Sequence, residues 1–98
     1  MPVRLHPSVY DDLSEIMDYY ASVAGNALAL AFYREFCRCI KVLGSRPQSF
    51  RTEKHGLRRC NLNRFPHHIL FDFETTRGIF VLVVKHDHRS PDLGTDRR

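Results

Sequence analysis

This chain has no long apolar run, no CxxC cysteine pair and no internal repeat, and each absence removes a class of protein. No stretch approaches the ~20 consecutive apolar residues that a membrane-spanning helix requires. The opening "MPVRLHPS" has no apolar core of the kind a secretory signal carries, so the expected location is the cytoplasm. Cysteine is sparse and odd in number, at Cys37, Cys39 and Cys60. No CxxC and no His/Cys ladder at zinc spacing occurs, and Cys37 and Cys39 diverge on a helical pattern, so the three are expected as buried, reduced thiols. No linker or low-complexity tract divides the chain, and 98 residues suffice for one domain, 1–98.

What is present is a modest core and an uneven charge. Hydrophobic residues make up 43% of the chain and include seven Phe, enough for a core whose stability would gain from a partner covering an apolar face. Residues 1–50 carry five basic and five acidic groups, whereas residues 51–98 carry ten and six, so the whole net charge of +4 lies in the second half. Five of the six histidines lie there too. A basic half points to an anionic partner, either nucleic acid or an acidic protein segment.

Periodicity divides the chain into elements. "VRLH" (3–6) alternates and predicts a short starter strand. Ser8 is placed to cap a helix whose first turns hold Asp11, Asp12 and Glu15, favourable at the positive end of the helix dipole. Val9, Leu13, Ile16 and Tyr20 make its apolar face, and Gly25 ends it. A second helix over 26–43 repeats Leu28, Phe32, Phe36, Cys39, Ile40 and Leu43, with Gly44 at its C-cap and Pro47 preventing continuation. From Leu57 the period becomes two. Strands are expected at 57–62, 68–74 and 79–84, with a hairpin turn at "TTRG" and "IFVLVV" as a central strand, apolar on both faces. The fold class is α+β, in the order β-α-α-β-β-β, with a helical hairpin on one face of a small, mainly antiparallel sheet. The opposite face is expected to stay thinly covered around Leu70, and residues 91–98 to form a loose tail.

The chemistry-bearing residues cluster late. His86 and His88 leave the last strand beside Asp87 and Arg89; a histidine can move a proton near neutral pH and an arginine can hold a phosphate, the parts needed to cut RNA through its own 2′-hydroxyl. The same residues could be only the solvated end of a strand, and Arg89 could pin the tail through Asp72 or Asp92. A metal held by His86 and His88 with His67 or His68 lacks a third placed ligand, so no metal and no cofactor are expected. Arg58, Arg59 and Arg64 are candidate phosphate or target contacts, with surface ion pairs as the plain alternative. Tyr10, Tyr19 and Tyr20 fit packing at a core boundary better than stacking on a base.

Three stretches together resemble a known family. "HPSVYDDLSEIMDYYAS", "GLRRCNLNRFPHHILFDFE" and the ending "VLVVKHDHRSP" are similar to the RelE/ParE superfamily of small bacterial toxins from type II toxin–antitoxin modules. The resemblance spans nearly the whole chain and implies this same fold, a growth-arresting toxin, and a cognate antitoxin whose acidic and apolar C-terminal segment wraps it. RelE-like members cut mRNA on the ribosome, and ParE-like members inhibit DNA gyrase without known enzymatic activity. At the positions where the ribonuclease members keep two lysines, two arginines and a tyrosine, this chain has Arg59, Asn61, His68, Asp87 and Leu93. The usual catalytic set is therefore not preserved. A ribonuclease would need His68, His86 or His88 for acid–base work, with Arg59 and Arg89 on phosphate. The alternatives are gyrase inhibition, or a decayed toxin that only binds its antitoxin.

Overall fold

A computed structural model describes all 98 residues. In chain order the elements are β1 (Val3–Leu5), α1 (Ser8–Ala24), α2 (Asn26–Ser45), β2 (Arg58–Asn61), β3 (His67–Glu74) and β4 (Gly78–His86), with two short 3₁₀ turns between α2 and β2. The sheet order is β1-β4-β3-β2; β1 runs parallel to β4, and the other pairs are antiparallel. The expected order and hairpin are present, with β4 in the interior of the sheet. No helix is long and apolar enough to cross a membrane.

Local chemistry departs from expectation at both helix boundaries. Ser8 does not cap α1 with its hydroxyl; its backbone N–H donates to His6 Nδ1 at 3.0 Å, so the imidazole takes the capping role. Gly44 does not end α2, which runs on to Ser45. A Cβ at Gly44 would stand 3.1 Å from Val3 Cγ2, so glycine there lets the helix lie close against β1. Between the helices, Gly25 has φ +93° and allows α2 to start one residue after α1 ends.

Both faces of the sheet are covered, and that revises the expected thin cover. Val9 and Leu13 of α1 and Phe32, Phe36, Cys39 and Leu43 of α2 pack on Cys60, Ile69, Phe71, Ile79, Val81 and Val84. This is the periodicity of the helices meeting that of the strands. Behind it, Leu57, Leu70, Leu82 and Val83 form a smaller buried cluster. A β-bulge makes it possible: Leu70 pairs with Val83 and Phe71 with Val81, so Leu82 is the extra residue and turns toward the same face as Val83.

The tail closes that face and is not loose. A Cβ at Gly94 would meet Val83 Cβ at 2.6 Å, and the residue has φ +83°. Two separate constraints therefore demand glycine. Arg97 bridges back to Asp12 of α1 with bonds of 2.7 and 3.2 Å and to the Leu82 carbonyl at 3.0 Å. The pin is Arg97 with Asp12, and Arg89 makes no ion pair. Of the thiols, Cys39 and Cys60 are buried as expected, whereas Cys37 is exposed.

Candidate functional site

Antiparallel pairing of β3 with β4 brings the histidine doublets together. His67 pairs with His86 and His68 with Lys85, so residues nearly twenty apart share one end of the sheet. Alternation then sorts them by face. His67 and His86 lie on the helix side, whereas His68, Lys85 and Asp87 lie on the tail side.

On the tail side the polar groups are bound to one another. His68 is 4% exposed, and its Nδ1 lies 2.8 Å from Asp87 Oδ1. Burial lowers its pKa, against the opposing pull of Asp87. Arg59 donates to Asn61 Oδ1 at 2.7 Å and to Asp87 Oδ1 at 3.3 Å, and lies 3.6 Å from Glu53. Its guanidinium is thus surrounded by three oxygen-bearing side chains. Lys85 is 3% exposed and donates to the carbonyls of Ser90, Pro91 and Leu93 at 2.8, 3.0 and 2.9 Å. An ammonium has three donors, and all three are used. Burial pulls the Lys85 pKa down.

On the helix side the imidazoles are packed. The His67 ring lies 4.9 Å from Phe32, 6.0 Å from Tyr20 and 5.2 Å from His86. Burial, reinforced by neighbouring His86, takes the His67 pKa down to about 4, so the ring is neutral at physiological pH. Its Nδ1 is buried and has no hydrogen-bond partner. His86 accepts from the His88 backbone N–H at 3.0 Å, and the two rings sit 5.1 Å apart. His88 is exposed. Beside these residues lies a cavity of about 570 Å³ between α1, the end of β4 and the tail, lined by Glu15, Ile16, Tyr19, His67, His86 and Arg89 among others.

The remaining arginines do not join this cluster. Arg58 donates to the Phe50 carbonyl at 2.7 Å and holds the segment after α2 against the sheet. Arg64 sits in a loop at φ +70° with its guanidinium 5.8 Å from the Phe65 ring centre, near Arg34, Glu35 and Arg38 of α2. So the structure joins Arg59 to His68 through Asp87, and His86 to His88 and Arg89, but leaves Arg58 and Arg64 apart. No three His, Cys, Asp or Glu side chains converge in a way that could hold a metal ion. Sequence reasoning missed Lys85, the bridging role of Asp87, and the Asp12–Arg97 pair; only Asp87 left a trace, as an acid standing where related ribonucleases keep a base.

A protein-family model described as "ParE toxin of type II toxin-antitoxin system, parDE" matches residues 3–91. The chain belongs to the ParE toxin family. It is a type II toxin. No curated protein sequence matches it. Among solved structures it is similar to one described as "Chromosomal ParDE TA system from P. aeruginosa", with a TM-score of 0.77 and 22% identity over 88% of this chain and 95% of that one. At that identity the likeness concerns the fold. The family match stops at Pro91, so the tail residue that grips Asp12, Arg97, lies beyond it.

Proposed function

We propose that this ParE-family toxin arrests growth by gripping a protein target, DNA gyrase, in the cytoplasm rather than by cutting RNA, and that a cognate antitoxin with an acidic and apolar segment neutralises it. One observation carries this reading: the base and the cations that cleavage would use on the sheet are already engaged within the chain. A general base must come within hydrogen-bond reach of the substrate proton, and His68 is buried with Asp87 on one ring nitrogen. A phosphate-binding cation must have donors to spare, and those of Lys85 are all taken by backbone carbonyls while Arg59 faces Glu53, Asn61 and Asp87.

The ribonuclease alternative keeps one foothold, the rim formed by His86, His88 and Arg89. His88 is exposed and Arg89 has no carboxylate partner, so both can meet a ligand. A short pulse of expression without antitoxin separates the two. We expect DNA synthesis to fall first, with translation spared, and a His86→Ala, His88→Ala double variant to behave the same. A prompt fall in translation that the double variant abolishes would instead establish a ribonuclease built on histidine.

A further inference from the structure

The solvent side of α2 carries a row of cations. Arg34, Arg38 and Lys41 follow one another at steps of four and three, which puts them on one side of the helix, and all three are exposed. Glu35 is the only acid between Asn26 and Ser45, and it is already engaged. Its carboxylate accepts from Arg38 Nε at 2.7 Å and Nη2 at 2.8 Å, and from the backbone N–H of Asn63. The last of these bonds ties the loop between β2 and β3 to α2. Arg64, the next residue, holds φ +70°, a conformation that costs energy in any residue with a Cβ, and its guanidinium lies 5.8 Å from the centre of the Phe65 ring. Arg34, Arg38 and Arg64 thereby line a cavity of about 260 Å³ together with Glu35 and Ala31.

The spare donors that Lys85 and Arg59 lack on the sheet are present here. The side chains of Arg34, Lys41 and Arg64 make no hydrogen bond or ion pair within the chain, and Arg38 keeps Nη1 free. We infer that this row and the Arg64 loop form a second binding surface, which holds the phosphate backbone of duplex DNA without reading its sequence. The chemistry of the lining selects the ligand. Ala31 is the only apolar residue of the cavity, so an acidic protein segment would find no buried anchor there, whereas nucleic-acid interfaces are polar and strongly positive. No aromatic residue lines the cavity, and Phe65 beneath Arg64 is buried, so the stacking on which single-strand binders rely has no platform. Arg34 to Lys41 spans ~10 Å of helix axis, roughly the rise of three phosphates along one strand. No histidine lines the cavity, so this surface holds and does not cut. Such binding requires neither gyrase nor antitoxin and goes beyond the gyrase reading.

Fluorescence anisotropy of a labelled DNA duplex of random sequence, titrated with the purified chain, tests this. Affinity should fall with salt along a slope of about −3 in log K against log salt, the mark of three or four neutralised phosphates. An Arg34→Gln, Arg64→Gln double variant should bind roughly tenfold more weakly and flatten that slope by about two. An Arg51→Gln, Arg77→Gln variant removes the same charge from arginines that already sit beside Glu53 and Glu74, and should change affinity by less than about twofold. All four arginines are exposed, so neither variant disturbs the core. Equal weakening by the two variants would reduce the effect to net charge and overturn the assignment. So would absence of duplex binding at low salt, a tighter hold on a single strand, or displacement of the duplex by polyglutamate at matched charge. Each of these results leaves the toxin reading intact.

Discussion

The two faces of the sheet are closed by different physics. The helix face is a continuous apolar layer whose largest members, Phe32 and Phe71, are fully buried, and many small contacts hold it. The tail face has four buried aliphatic residues and relies on a few directional bonds: Lys85 to three carbonyls, Arg97 to Asp12, and His68 to Asp87. A layer of the first kind tolerates the loss of polar groups around it. A layer of the second kind opens when one pin is removed.

The largest effect should come from the helix face. Phe32→Ala is expected to cost about 3–5 kcal/mol, measured by denaturant unfolding, and to destabilise both faces together. A loss of tail docking alone would break the comparison. Next comes acidification, which acts through the buried imidazoles and most through His67. Its folded pKa of about 4 lies below the 6.5 of a free imidazole, so within that window the unfolded chain binds a proton that the folded chain refuses. Stability should therefore be intact above 6.5 and fall by roughly 3 kcal/mol as pH drops through the window. His67→Phe should weaken that dependence, with buried His68 retaining part of it because burial lowers its pKa too, a result read from melts at several pH values.

On the tail face the expected changes are smaller and local. Lys85→Met keeps the stem but abandons three carbonyls, at a cost of about 1–3 kcal/mol. Limited proteolysis should then cut between Ser90 and Arg98 while the helical signal in circular dichroism persists. Gly94→Ala should give the same pattern, because its Cβ has no room against Val83 and φ is positive. Global unfolding in either variant would mean that the tail is part of the main core. Arg89→Ala, which removes no intramolecular partner, should change stability by less than about 0.5 kcal/mol.

The same contrast explains what could be seen in the sequence. Helices at period 3.6 and strands at period two announce a face that is closed by repetition, so the hairpin, the element order and the core positions from Val9 to Val84 were legible. The tail face is closed by partners that no local pattern links: Asp12 and Arg97 are 85 residues apart, and His68 and Asp87 are 19 apart. The extra residue Leu82 was also hidden, because a bulge inside an all-apolar strand leaves no mark on the pattern. The candidate site was legible as a cluster of residue types at the end of β4. Which of those residues are free was not, since the burial of Lys85 near the end of β4 depends on where the tail returns.

The claim that this surface grips rather than cuts is tested most directly with purified chain added in parallel to a DNA gyrase supercoiling reaction and to ribosomes translating a defined mRNA. Supercoiling should be inhibited while the mRNA stays intact, and adding the antitoxin should restore supercoiling. Discrete mRNA fragments from translating ribosomes, with gyrase unaffected, would contradict it.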